Sequence, residues 1–474
     1  MTDVQVPDVT MPLPAIPGQP SPQLPSARRQ PAARPGAPAT VRRHWDVLGS
    51  ASSLVATTGV ASVLGFVYWA LAARLFSQRA VGYGSAGISA MTLLGTIGML
   101  GLGTVLIGEL PRRQDRARLV AAALLASAAG SALLGAGFAL VSPHISVHFG
   151  HISGNLGQAA LFTAGVCLTG ASLVFDQATI GLLRGGVQLG RNVVFAVAKL
   201  AVLPATALVL HDRFGAGITA SWVAGLAASM LLVAVWLRVT GTHVLPRPDW
   251  AVLRGLGKTA VAHSWLNLAI TVPRSLIPVL VTIIVSPSAN AAFYAAWTLS
   301  GFLYIIPTHL STVLFAVASA DPQIIARKLR FTLGLSALLG LVGMAVLAAG
   351  AHFALSLFGP SYAREATVPL LLLVAGYVPT VPKLHYIAVC RAQGRITRAA
   401  AVLTAAATAE VAAAAAGGAA GGLDGLTLAL VGVFFLEGLV TAPSVIRAAI
   451  GHGRHRRSRP ARQARPDAPS GYPV

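Results

Sequence analysis

Apolar stretches separated by short polar connectors fill most of the chain, at about 47–73, 81–108, 119–142, 159–183, 192–210, 216–237, 259–285, 290–318, 331–351, 366–390, 399–419 and 423–446. A helix needs about 20 residues to cross the hydrocarbon core of a bilayer. Inside lipid a segment must satisfy its own backbone hydrogen bonds, which a helix does. The pattern therefore predicts an all-α integral membrane protein of about twelve transmembrane helices. Short connectors make consecutive helices antiparallel neighbours.

The connectors alternate in charge. Those after the even spans hold Arg112, Arg113, Arg116 and Arg118; Arg184 and Arg191; Arg238, Arg247, Arg254 and Lys258; Arg327, Lys328 and Arg330; and Arg391, Arg395 and Arg398. Those after the odd spans hold only Arg74, Arg79, Arg213 and Arg364, and 143–158 has neither Arg nor Lys. Basic connectors stay in the cytoplasm. Both termini are thus expected there, with the chain multi-pass in the cell membrane. Residues 1–44 are rich in Pro, Ala and Arg and read as a disordered cytoplasmic tail without a signal-peptide pattern; 451–474 reads as a second, basic tail.

Composition agrees: 55% of residues are hydrophobic and 10% charged, against about 25% charged in soluble domains. The net charge of +21 sits in tails and connectors, so it speaks for membrane topology and not for nucleic acid. Cys167 and Cys390 lie far apart in apolar stretches and predict neither a disulfide framework nor a metal site. No P-loop and no loop Asp-x-Asp occurs, so no cofactor is called for and an enzyme is not expected.

The two halves echo each other. Arg184 and Arg191 follow span four seven apart; Arg391 and Arg398 do the same after span ten. Eight residues before each pair stands an ionisable residue, Asp176 or Lys383. Glu109-Leu110-Pro111 leads into basic residues ending at Arg118, as Asp321-Pro322 leads into those ending at Arg330; Leu75-Phe76-Ser77 corresponds to Ile284-Val285-Ser286. The echoes predict a duplicated unit. Two six-helix lobes, 45–240 and 258–450, would be joined by a cytoplasmic connector, 241–257, and surround a central cavity.

Ionisable residues inside spans are costly and mark pathways or pairs. Here they are Asp176, Lys199, Arg274, Lys383, Glu410 and Glu437. Arg274 lies between Pro273 and Pro278, and a kinked helix carrying a guanidinium offers a bidentate site for phosphate; the alternative is a structural pair with Glu410, Glu437 or Asp176. Lys383, also near two prolines, is either a second phosphate contact or a snorkelling lysine. Lys199 is read in the same way. Asp176 and Gln177 could bind an ion or sugar, or pair with a neighbouring base; Glu410 and Glu437 are further candidates for ion coupling. His263 reads as a packing residue.

The run from Gly65 to Ser77 (GFVYWALAARLFS), then Val81 to Ala86, Gly101-Leu-Gly-Thr104, Phe175 to Arg184 with Arg191-Asn192, and Pro273-Arg274 resemble oligosaccharide flippases. These are the polysaccharide-biosynthesis branch of the multidrug/oligosaccharidyl-lipid/polysaccharide (MOP) exporter superfamily, in its actinobacterial form. The resemblance covers about 45–450. It implies alternating access and transfer of a polyprenyl-pyrophosphate-linked oligosaccharide from the inner to the outer leaflet. It also implies membrane lipids, and glycosyltransferases or a polysaccharide polymerase, as partners. The chain departs from the pattern in span one, where some such flippases carry intramembrane arginines and this sequence offers Thr57 and Thr58. The alternatives are a cation-coupled multidrug antiporter of the same superfamily and a membrane scaffold of a polysaccharide assembly complex.

Overall fold

The computed structural model describes residue 59 and residues 62–451, except 183, 211–213, 241–246 and 321–324; the side chains at 258–263, 266 and 316–320 are likewise not described. Both tails, Thr57 and Thr58, Arg213, the Asp321-Pro322 echo and the side chains of Lys258 and His263 lie outside the described residues.

The described residues are mostly helical, without strands. Helix α1 is Ser62–Leu75. Span two is not the continuous helix its apolar run predicts: α2 (Gln78–Gly98) and α3 (Leu102–Glu109) meet at Leu100 and Gly101, both left-handed, with φ of 52° and 70°. A non-glycine residue there is strained, which marks the break as built in. Spans three to six are α4 (Arg116–Ile145), α5 (Leu156–Gly181), α6 (Gly185–Val209) and α7 (Ala216–Val239). A short α8 (Trp250–Gly255), capped by the Asp249 side chain, precedes α9 (Gly257–Leu280). Helix α9 ends in a π turn, Val281–Val285. Then come α10 (Pro287–Ala320), α11 (Ile325–Ala349), α12 (Ala351–Ser356), α13 (Pro360–Ala375), α14 (Tyr377–Ala392) and α15 (Ile396–Ile450).

Among the described residues nine helices are long and apolar enough to cross a membrane, and the pair α13–α14, bent by 44°, makes a tenth span. Helix α15 holds two spans, because Gly421 and Gly422 leave helical geometry. A Cβ on Gly417 would lie 2.4 Å from the carbonyl oxygen of Gly425. In a straight helix those residues stand about 12 Å apart, so the halves form a hairpin. Helix α1 is apolar but shorter than a full span in the described residues.

Helices α2 to α7 pack on one another, as do α9 to α15, and the two groups meet mainly through α2 and α3 against α9 and α10. The Leu75-Phe76-Ser77 echo is a shared cap. The Ser77 hydroxyl accepts from the Ala80 amide at the start of α2, and that of Ser286 accepts from Ala289 at the start of α10. These two helix starts touch. Asn290 donates to the carbonyl of Gly82 (2.9 Å) and to Ser85 (3.0 Å), and Gln78 donates to the Ser288 carbonyl and to Glu365. Nearby, Arg74 donates to the carbonyls of Ser356 and Leu357, while Phe66 packs edge-on to Phe358. The lobes are in contact at this end, which the positive-inside expectation would turn outward.

Gly82 is what permits this approach: a Cβ on it would fall 1.7 Å from the Pro287 carbonyl oxygen, a backbone atom that cannot rotate away. Gly82→Val should part α2 from α10. A cysteine at Ser85 should then react with an impermeant maleimide added outside at least ten-fold faster than on the Gly82 background; equal rates would mean the seal lies elsewhere.

Candidate functional site

The ionisable residues sort into two paired groups and two lone cations. In the first lobe, Asp176 on α5 is gripped by Arg191 through both carboxylate oxygens, at 2.9 and 2.7 Å. Arg191 also donates to Asn192 (2.8 Å) and Ser229 (3.5 Å). The sequence reading put Arg191 in a cytoplasmic connector. The structure corrects this: α6 begins at Gly185, and Arg191 lies in its second turn with its side chain 3% exposed. The signal was present in Asp176 itself, an apolar-span carboxylate that needs a partner. Gln177 packs its stem against Gly103 of α3.

In the second lobe Lys383 on α14 bridges both glutamates of α15. Its ammonium donates to Oε1 of Glu410 at 2.6 Å and to Oε2 of Glu437 at 2.7 Å. Glu410 stands on the first half of the α15 hairpin and Glu437 on the second, so the lysine ties three helical arms together. Lys383 is thereby neutralised, and Asp176 belongs to a different lobe from the glutamates.

Lys199 is 4% exposed on α6 and has no carboxylate within ion-pair distance among the described residues. Its ammonium lies over three rings, 4.0 Å from Trp222, 4.5 Å from Phe195 and 4.6 Å from Tyr68. Ring faces hold a cation without cancelling its charge. The Tyr68 hydroxyl is fixed by the Ile218 carbonyl and Ser221.

Arg274 is the other lone cation. Helix α9 carries Pro273 and Pro278 inside it, and its C-terminal end loosens into the π turn. Proline removes backbone donors, and π turns recur at functional sites. Pro273 and Ser275 are buried while Arg274 between them is exposed. Arg274 has no ion-pair partner within 4 Å among the described residues, yet Glu410 and Tyr294 lie within electrostatic reach. Helix α9 packs against α2 and α3 of the first group and against α15 of the second. Aromatic rings connect the two lone cations: Trp222 lies beside Trp69 (6.2 Å), and Trp69 beside Tyr294 (4.7 Å), which crosses from one lobe to the other. These ring contacts were not singled out from sequence, because only the fold brings α1, α7 and α10 together.

Among the described residues no cluster of three metal-ligating side chains occurs, and Cys167 and Cys390 are unbridged.

No family model matches the sequence, and no curated protein does. Solved structures match the fold. An inward-facing multidrug resistance MATE family transporter of the MOP superfamily aligns at a TM-score of 0.64 and 15% identity, over 82% of this chain and 95% of that one. The lipid II flippase MurJ, in an inward closed conformation, aligns at 0.60 and 12%, over 84% and 89%. An outward-facing MATE transporter aligns at 0.55 and 15%, over 85% and 96%. At such identities the likeness concerns the fold: this multi-pass all-α chain is built like MOP-superfamily transporters.

Proposed function

We propose that this chain is a carrier that moves a polyprenyl-pyrophosphate-linked oligosaccharide from the inner to the outer leaflet of the cell membrane by alternating access, with both termini cytoplasmic. One observation carries the reading: among the described residues Asp176, Glu410 and Glu437 are engaged by cations, whereas Lys199 and Arg274, one in each lobe, have no carboxylate within ion-pair distance. A pyrophosphate wants fixed positive charge in a low-dielectric cavity. Arg274 offers it a planar fork of donors, and Lys199 a second charge behind Trp222 and Trp69. Flat rings also suit sugar faces. Asp176 and Gln177 then shape the first lobe from within, and Lys383 organises the second. The likeness to a lipid II flippase and to MATE transporters supports the carrier architecture that both share.

A carrier for organic cations needs accessible carboxylates, and here both Asp176 oxygens are occupied by Arg191. A scaffold has no need of intramembrane cations without a carboxylate partner. Glycosyltransferases or a polymerase acting before and after the transfer step are the partners this role requires.

Deleting the gene should deplete surface polysaccharide and make its lipid-linked precursor accumulate at the inner leaflet, with susceptibility to cationic drugs unchanged. Hypersensitivity to such drugs with normal surface polysaccharide would replace this reading with the antiporter. Normal precursor transfer with lost complex assembly would replace it with the scaffold.

A further inference from the structure

The segment that links the two groups of helices is folded onto the first of them. The Asp249 amide donates to the Arg118 carbonyl (3.3 Å), and Nε of Arg118 donates to the Arg247 carbonyl (3.2 Å). Helix α8 follows at once. It lays Val252 and Leu253, with Leu256 just beyond its end, against the apolar cluster that holds Leu106, Leu110 and Leu119. Arg118 lies in the first turn of α4, a 30-residue apolar helix long enough to cross a membrane. The connector is therefore held at the edge of the bilayer.

The other side of α8 is uncovered. Trp250 and Arg254 stand four residues apart, about one helical turn, and so share a face. Both are exposed, Trp250 by 43%, and so is Arg247 just before the helix. Among the described residues the Arg247 and Arg254 guanidiniums have no acceptor, whereas those of Arg116 and Arg118 are tied to backbone carbonyls. The nearby acids do not neutralise them. Glu109 pairs with Arg113 (3.0 Å), and the Asp249 side chain accepts from the Val252 amide (3.1 Å). Asp115 and Asp249 line the groove between α8 and the start of α4, so an anion is drawn to the outer face of α8 and not into that groove.

We propose that Arg247, Trp250 and Arg254 form a binding site for an anionic phospholipid of the adjacent leaflet, and that this lipid clamps the connector between the lobes to the membrane surface. A guanidinium holds a phosphate through paired donors. An indole settles at headgroup depth, where one end of it meets apolar chains and the other meets water. A helix with its apolar side in the protein and an arginine–tryptophan side at the bilayer edge suits a negatively charged headgroup. An acidic protein could also meet the two arginines, but it gives no reason for an exposed indole beside a span. Helix α9 begins at Gly257, directly after the site. The lipid thus holds the point where the chain passes from one group of helices to the other. The site does not depend on what the carrier moves.

The test uses the full chain in detergent, given phosphatidylglycerol or phosphatidylcholine with the same acyl chains, and counts retained lipid by native mass spectrometry. The wild type should prefer phosphatidylglycerol by a factor on the order of ten. Arg247→Ala with Arg254→Ala should remove most of that preference, and Arg247→Lys with Arg254→Lys should keep part of it. Trp250→Ala should weaken it about two-fold with no change of charge. Arg395→Ala with Arg447→Ala takes the same charge from exposed positions on the second lobe and should leave the preference intact. All of these side chains are exposed, so the melting temperature should stay at the wild-type value in every variant. Equal retention of the two lipids by the wild type overturns the site. So does an equal loss in the Arg395 and Arg447 variant, which would mean attraction by net charge alone. A preference undiminished by Trp250→Ala overturns the placement at headgroup depth. A preference unchanged in the Arg247 and Arg254 alanine variant, with a co-purifying acidic protein lost instead, would make this face a protein contact.

Discussion

Arg274→Ala should lower export of surface glycan at least ten-fold while the protein remains in the membrane at normal abundance. The side chain is exposed between two buried neighbours and makes no ion pair among the described residues, so its removal leaves no partner stranded. Substitutions of that kind change stability by about 0.5 kcal/mol or less. The loss falls on the cargo. A hydrogen bond to a charged group contributes about 1.5–3 kcal/mol, equivalent to roughly ten- to hundred-fold in headgroup affinity. Arg274→Lys keeps the charge and loses the fork, so it should fall between wild type and Ala. Quantifying surface polysaccharide against immunoblotted protein checks both halves. Full export by Arg274→Ala would remove this residue from the transfer path.

The second large effect is on stability. Asp176→Ala leaves the Arg191 guanidinium, 3% exposed, without its carboxylate. Breaking one side of a buried pair costs roughly 3–5 kcal/mol, whereas replacing both sides with apolar residues is often neutral. Asp176→Ala should therefore sharply lower the melting temperature in detergent and the yield of folded protein, and Asp176→Leu with Arg191→Met should recover most of both. If the double variant is stable and also transports, the pair is structural; a single variant as stable as the wild type would show that the pair does not hold the first lobe together.

Much of the architecture was legible because lipid enforces a simple code. The apolar runs became helices, and the Ser77 and Ser286 echo became matching helix caps at the lobe contact. The breaks were less visible. Nothing in an apolar run says that Leu100 will be left-handed, whereas the break at Gly421-Gly422 falls in the short connector expected between the last two apolar runs. Charge pairing was the least legible. Six intramembrane ionisable residues gave an even balance of three acids and three bases. The structure changes the sum by bringing in Arg191, which the connector reading had set aside, and by placing one lysine between two glutamates. Which cations remain free depends on which helix faces meet, and residue order alone does not encode that.

The most direct test of the account is transfer itself. Purified wild-type protein in proteoliposomes, given a fluorescent polyprenyl-pyrophosphate oligosaccharide, should make the glycan accessible to an impermeant quencher on the opposite face many-fold faster than protein-free vesicles, and Arg274→Ala should remove that gain. Transfer at the protein-free rate, with the same vesicles carrying an organic cation against a pH gradient, would contradict the account.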